Sequence, residues 1–251
     1  MLVMGILNVT PDSFADGGRH NDLEAAVARG LEMIAEGADI IDIGGESTRP
    51  GADRVSEAEE IARAIPVITE LAKHGVRISI DTMRASTADA AIKAGASIIN
   101  DVSGGLADSE MLQTAARLQV PYIAMHWRGQ SKDMNSKAIY EDVVSDVISE
   151  LNKRIEAALD AGIHKDKLII DPGLGFAKDA EHNWAIIDSM DRFVALGYPV
   201  LVGGSRKRFL GGETPDEREQ ATIELTKRLG TTGVWAVRVH SVKPHKEVLS
   251  A

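Results

Sequence analysis

Eight short apolar runs recur along the chain, each closed by polar or glycine-rich residues: VMGIL (3–7), DIIDIG (39–44), RISID (77–81), SIIND (97–101), PYIAM (121–125), KLIID (167–171), PVLVG (199–203) and WAVRV (235–239). Most are too short for helices and rich in β-branched residues, the pattern of strands buried on both faces of a parallel sheet. Segments of helical period separate them. Over 139–161, Val143, Val147, Ile148, Leu151, Ile155 and Leu159 form one apolar stripe, and Gly162 supplies the stop. Ser86, with Asp89 three residues on, predicts a capped start for another helix. The alternation predicts a (β/α)8 TIM barrel with 1–251 as one domain. A doubly wound sheet is the alternative, but no GxGxxG follows the first run. Only residues 240–251 follow the last run, so the eighth helix is expected to be short.

Composition narrows the classes. With 251 residues, 44% of them hydrophobic, the chain has material for a substantial core. It has no cysteine, which excludes disulfides, thiolate nucleophiles and cysteine-ligated metals. The seven histidines are scattered without an HxxxH spacing, against a zinc enzyme. A net charge of −10 argues against binding nucleic acid, whose backbone demands a basic face. No window approaches a transmembrane run, and the first strand-like run begins almost at Met1, so a cytoplasmic protein with no membrane association is expected.

In a barrel of this kind the chemistry sits at the carboxyl ends of the strands. Those ends carry Asn8, Asp42, Asp81, Asn100, Met125, Asp171, Gly203, Arg238 and His240. Arg238 and His240 are two apart, so an extended strand turns them to one face, where they can jointly grip an anion; Asn100 and Asp101 must point oppositely. Each position also has a plain structural role open to it. Asp171 precedes Pro-Gly, where Asx residues start turns; Lys207 lies in SRKR, which reads equally as a solvated basic cluster; Met125 suits any core. The stretches NVTPDSFADGGRH and GESTRPGADRVS exceed the usual βα loop length and are expected to act as lids.

Taken in order and spacing, GILNVTPDSFADGG, GGESTRPGA, SIDT, IINDVSGG, MHW, LIIDPGLGFAK, LVGGSRKRFLG and VRVH closely resemble the dihydropteroate synthases of the folate pathway, over essentially the whole chain. MHW and SRKRF look most like the actinobacterial branch. The resemblance implies a transferase that condenses a dihydropterin-methyl diphosphate with p-aminobenzoate, through an SN1-like pterin cation. It assigns the pterin to Asp81, Asn100, Met125, Asp171, Phe176 and Lys207. It assigns the diphosphate to Asn8, Thr48, Arg49, Arg238 and His240, with Asn8 as a contact of Mg2+, and p-aminobenzoate to Phe14, Thr48, Arg49, Pro50 and Lys207. Asp81, Lys207, Arg238 and His240 would carry the catalysis. The aminobenzoate carboxylate is expected near the start of the helix after SRKR. Arg208 stands where many family members have serine, so no side-chain contact to that carboxylate is carried over. A homodimer is implied. Two rivals keep the barrel and change the chemistry: a pterin-binding methyltetrahydrofolate:corrinoid methyltransferase, and a non-catalytic paralogue.

Overall fold

The computed structural model describes residues 1–10, 18–46, 55–129 and 134–250. All eight apolar runs are strands: β1 (Leu2–Asn8), β2 (Ile40–Gly44), β3 (Arg77–Asp81), β4 (Ile98–Asp101), β5 (Tyr122–Met125), β6 (Leu168–Asp171), β7 (Leu201–Val202) and β8 (Ala236–Val239). They pair in parallel in the order β6-β5-β4-β3-β2-β1-β8-β7. A parallel bridge between Ile170 and Val200 joins the two ends, so the sheet closes on itself as the expected TIM barrel.

Around it lie α1 (Gly18–Ala35), α2 (Glu57–Leu71), α3 (Ala85–Ala94), α4 (Met111–Leu118), α5 (Val143–Asp160), α6 (Ala180–Asp188), α7 (Met190–Val194), α8 (Glu217–Leu229) and α9 (Val242–Ser250). The last is short, as expected, yet it covers the outside of β1: a Cβ on Gly5 would lie 3.0 Å from Val242 Cγ2. Among the described residues no helix is long and apolar enough to cross a membrane.

Burial divides into layers. Val3, Leu7, Ile41, Ile43, Ile78, Ile80, Tyr122 and Phe193 belong to the large cluster that includes the buried faces of the outer helices. Met4, Ile40, Ile98, Ile123, Ile169, Leu201 and Ala236 fill the lumen, so the barrel is a packed core and not a pore. The period-2 alternation of the strands makes this division; β3 gives Ile78 and Ile80 to the outer cluster and none of its residues to the lumen cluster.

Two helix boundaries differ from the local pattern. Helix α5 starts at Val143 because Asp142 accepts from the N–H groups of Val144 (3.1 Å) and Ser145 (3.2 Å), and Leu159 stands 38% exposed instead of joining the stripe. Gly162 ends the helix at φ +97°, as expected. Ser86 is not the cap of α3. Arg84 holds that position, and the side chain of Asp108, from the loop after β4, accepts from the Ala85 N–H at 2.8 Å. Asp89 instead pairs with Lys93 and Arg117 on the surface.

Candidate active site

Strand register brings the polar ends together. Asn8 pairs with Gly44, Gly44 with Asp81, and Asp81 with Asn100, so these four positions form one row at the carboxyl end of the barrel. One layer below, Asp42 is register partner of Ile6 and Ser79. Asp101, next to Asn100, faces outward as expected and takes the Tyr122 hydroxyl at 2.8 Å.

On this row lies a buried charge cluster. Arg238 Nε donates to Asp42 Oδ2 at 2.6 Å and Nη2 to Asp81 Oδ2 at 2.7 Å, while Asn100 Nδ2 donates to the same Asp42 oxygen at 3.1 Å. One guanidinium cannot neutralise two carboxylates. Burial pushes the Asp81 carboxyl up to about 7 against the opposing Arg238 charge, with the neighbouring Asp42, Glu60 and Asp101 carboxylates adding to the rise. Asp42 Oδ1 and Asp81 Oδ1 are buried with no hydrogen-bond partner among the described residues. Such orphaned oxygens in a strand-end cleft mark a ligand's place.

The opposite side of the mouth is built on the turn after β6. Asp171 pairs with Met125 in register and is buried; its Oδ1 accepts from the Gly173 N–H at 2.7 Å. The Asx turn is therefore real, and Oδ2 is left over for a ligand. Burial raises the Asp171 carboxyl above its ordinary value, against that hydrogen bond and the nearby Lys207 and Lys178 charges. Lys207 Nζ donates to the Leu174 carbonyl and lies 4.6 Å from the centre of the Phe176 ring. Burial draws its ammonium down to about 8. The basic cluster SRKR thus contributes one inward lysine. Met125 groups with Met83 and Val102, with Phe176 and Trp127 against them, which makes a small apolar wall beside Asp171 and Lys207.

Arg238 and His240 diverge in their partners. While Arg238 is drawn to the two acids, His240 follows the end of β8 and its Nδ1 meets Ser205 Oγ at 2.9 Å. That hydroxyl also accepts from the His240 N–H at 3.2 Å, so ring and backbone of His240 are both held by Ser205. The helix after SRKR is α8, and it does not begin at once. Arg208–Leu210 forms a single 3-10 turn, Gly211 and Gly212 follow at φ +86° and +75°, and α8 begins only at Glu217. Phe14, Thr48, Arg49 and Pro50 lie outside the described residues.

Sequence reasoning named Asp42 without giving it a role and passed over Met83, Val102, Ser205 and the buried pair His126–Lys178. Asp42 was findable, since DIIDIG puts it in line with Gly44 on one strand face. The apolar partners carried no local signal.

Among the described residues no three His, Cys, Asp or Glu side chains gather as a metal cluster. A Cβ on Gly44 would lie 3.7 Å from Asp81 Oδ2 and 3.8 Å from Asn8 Oδ1, so both oxygens border the same space over the end of β2. An all-oxygen set this sparse fits a hard cation that keeps water and phosphate oxygens as its other ligands.

A closed parallel barrel with orphaned carboxylate oxygens and an inward lysine at its carboxyl mouth is an enzyme architecture, and the pterin binding enzyme family matches residues 4–240. A dihydropteroate synthase from Mycobacterium leprae is 47% identical, over 98% of this chain and 90% of its own length, in keeping with the actinobacterial type. The Xanthomonas albilineans dihydropteroate synthase solved with 4-aminobenzoic acid superposes with a TM-score of 0.93 at 44% identity, covering 99% of this chain and 90% of that one. The same enzyme in complex with 7,8-dihydropteroate gives 0.90 at 41% identity, covering 99% and 91%. The chain belongs to the dihydropteroate synthase family of pterin-binding transferases.

Proposed function

We propose that this barrel condenses (7,8-dihydropterin-6-yl)methyl diphosphate with p-aminobenzoate, giving 7,8-dihydropteroate and diphosphate. The observation that carries this reading is the pairing, at one mouth, of a hydrogen-bonding wall (Asp171, Lys207, Asn100) with a charged wall (Asp42, Asp81, Arg238).

Asp171 Oδ2 accepts from the donor-rich edge of the pterin, a charge-assisted and directional bond. Asn100 keeps its Oδ1 for the ring, Lys207 donates to the ring carbonyl, and Met125 and Phe176 pack its faces. Arg238, through Nη1, and His240 face the diphosphate. Asn8 would hold Mg2+, which supplies neutralising charge for the diphosphate.

The C–O bond to diphosphate breaks with its electron pair going to the leaving oxygen. Asp81 stabilises the resulting pterin methylene cation, the neutral aniline nitrogen captures it, and the anilinium proton passes to solvent. No strong base is needed for an amine that attacks neutral. In the wider assignment, Thr48, Arg49, Phe14 and Pro50 build the aminobenzoate site, sulfonamides compete there, and the enzyme works as a cytoplasmic homodimer.

A corrinoid methyltransferase has no use for a diphosphate grip, and a released paralogue has no reason to keep Asn8, Lys207, Arg238 and His240 together. The test is product formation by purified protein with Mg2+. Dihydropteroate and diphosphate should appear in equal amounts only when both substrates are present. A folded preparation that binds pterin yet makes no product would favour the paralogue.

A further inference from the structure

Behind the turn that carries Asp171 and Phe176 lies a buried lysine that has no assigned substrate contact of its own. Lys178 is 8% exposed, and its Nζ donates to three acceptors: His126 Nδ1 at 2.9 Å, the Gly173 carbonyl at 3.0 Å and the Phe176 carbonyl at 3.0 Å. Three acceptors demand three N–H bonds, so this geometry selects the ammonium, even though burial draws its pKa down to about 7. The same burial lowers His126 to about 4, so its ring is neutral and Nε2 donates to Glu150 at 2.9 Å. Glu150 is fixed in turn by Arg128, at 2.5 Å from Nη2 to Oε1. A line of hydrogen bonds thus runs from the half-buried surface of α5 to the back of the turn.

The turn needs this support. Gly173, Gly175 and Ala177 all sit at positive φ, +69°, +75° and +49°, and left-handed geometry at an alanine persists only where its surroundings enforce it. Other side chains hold the remaining backbone groups: Asn183 Oδ1 takes the Gly175 N–H at 2.6 Å and the Tyr140 hydroxyl donates to the Ala177 carbonyl at 2.9 Å. The turn closes with its own bond from the Phe176 N–H to the Gly173 carbonyl at 3.1 Å, and Lys178 adds a second tie by donating to the carbonyls of both residues. A buried ammonium is costly, and an apolar side chain would fill the space without directing two carbonyls.

We propose that Lys178, braced by His126 and Glu150, is a positioning residue that sets the 172–177 turn in the shape that presents Asp171 and Phe176 to the pterin. This rests on the pterin site argued above. Lys178 acts through the turn and not on the reacting atoms, so its loss is felt in pterin binding and not in the bond-breaking step.

The test compares wild type with Lys178→Met, which keeps an unbranched stem and removes the donors, and with the pair Glu150→Gln and Glu150→Ala. Hydrogen exchange in the ligand-free proteins should show the amides of Gly173, Gly175 and Phe176 exchanging at least tenfold faster in Lys178→Met, with those of β1–β3 unchanged. Pterin diphosphate should bind that variant at least tenfold more weakly, with KM for p-aminobenzoate and kcat at saturating pterin within about threefold of wild type. Glu150→Ala should weaken pterin binding severalfold and Glu150→Gln, which keeps an acceptor, less. If Lys178→Met does not fold, the Glu150 pair decides by the same measurements. Unchanged exchange in the turn, unchanged pterin affinity, or a fall in kcat at constant affinity would each overturn the proposal. If wild type itself binds no pterin diphosphate, the functional reading fails, and the exchange experiment still decides whether Lys178 holds the turn.

Discussion

The two walls of the barrel mouth are built on opposite terms. On the β6 side, polar groups are spent on protein: Gly173, Leu174, Gly175, Phe176 and Ala177 each have a backbone group bonded by a side chain. On the β2–β3–β8 side, two carboxylates share one guanidinium and each keeps a buried oxygen with no partner among the described residues. A flat aromatic ring is recognised by fixed geometry, so its wall is pinned in advance. A developing charge is stabilised by groups whose electrostatics are unbalanced before it forms, so its wall carries excess negative charge at Asp81. The contrast teaches that recognition and reaction are assigned to different strands of one barrel.

The largest effect should come from removing the unbalanced charge. Asp81→Asn is expected to lower turnover about a hundredfold or more, on the scale of losing one transition-state stabilising group. Steady-state kinetics at saturating substrates checks this, and an unchanged kcat would remove Asp81 from the reaction. Next in size is pH. With Asp81 raised to about 7, its reactive anion is depleted below that value, so kcat/KM should fall about tenfold per pH unit on the acid side. Asp81→Asn should flatten this limb. The same shift has the opposite sign for stability: the folded form holds this proton more tightly than the unfolded chain from about pH 4 to about 7, so Asp81's contribution declines as pH rises through that window.

The pinned wall should respond in binding. Gly173→Ala puts a Cβ 2.4 Å from the His126 carbonyl oxygen at a φ of +69°. Strain of about 1–3 kcal/mol should displace the turn and weaken pterin diphosphate binding about tenfold, measured by calorimetry, with kcat at saturation largely kept. The smallest change is Met125→Ala. It removes apolar contact from the ring's packing surface and should cost about 1 kcal/mol, roughly fivefold in affinity.

How far the sequence revealed this depended on the range of the interactions involved. All eight strands were legible because strands buried on both faces need continuous apolar runs, and the strand-end polar residues followed from them. The start of α3 was not, because its cap comes from Asp108 in another loop rather than from Ser86 beside it. Arg238 was legible as a functional cation, but its partners Asp42 and Asp81 are set by the strand order β3-β2-β1-β8, which lets Arg238 reach past β1 to both acids. Lys178 in GFAK carries no local sign of burial; the pairing of β5 with β6 places His126, from the end of β5, against it.

The division of labour is tested most directly by calorimetric titration of pterin diphosphate into wild type, Asp171→Asn and Asp81→Asn. Asp171→Asn exchanges an acceptor for a donor against the ring's own donors and should weaken binding about a hundredfold. Asp81→Asn should bind within a few fold of wild type, and its defect should lie in turnover. Equal losses in the two variants, or the greater loss in Asp81→Asn, would contradict the separation of recognition from reaction.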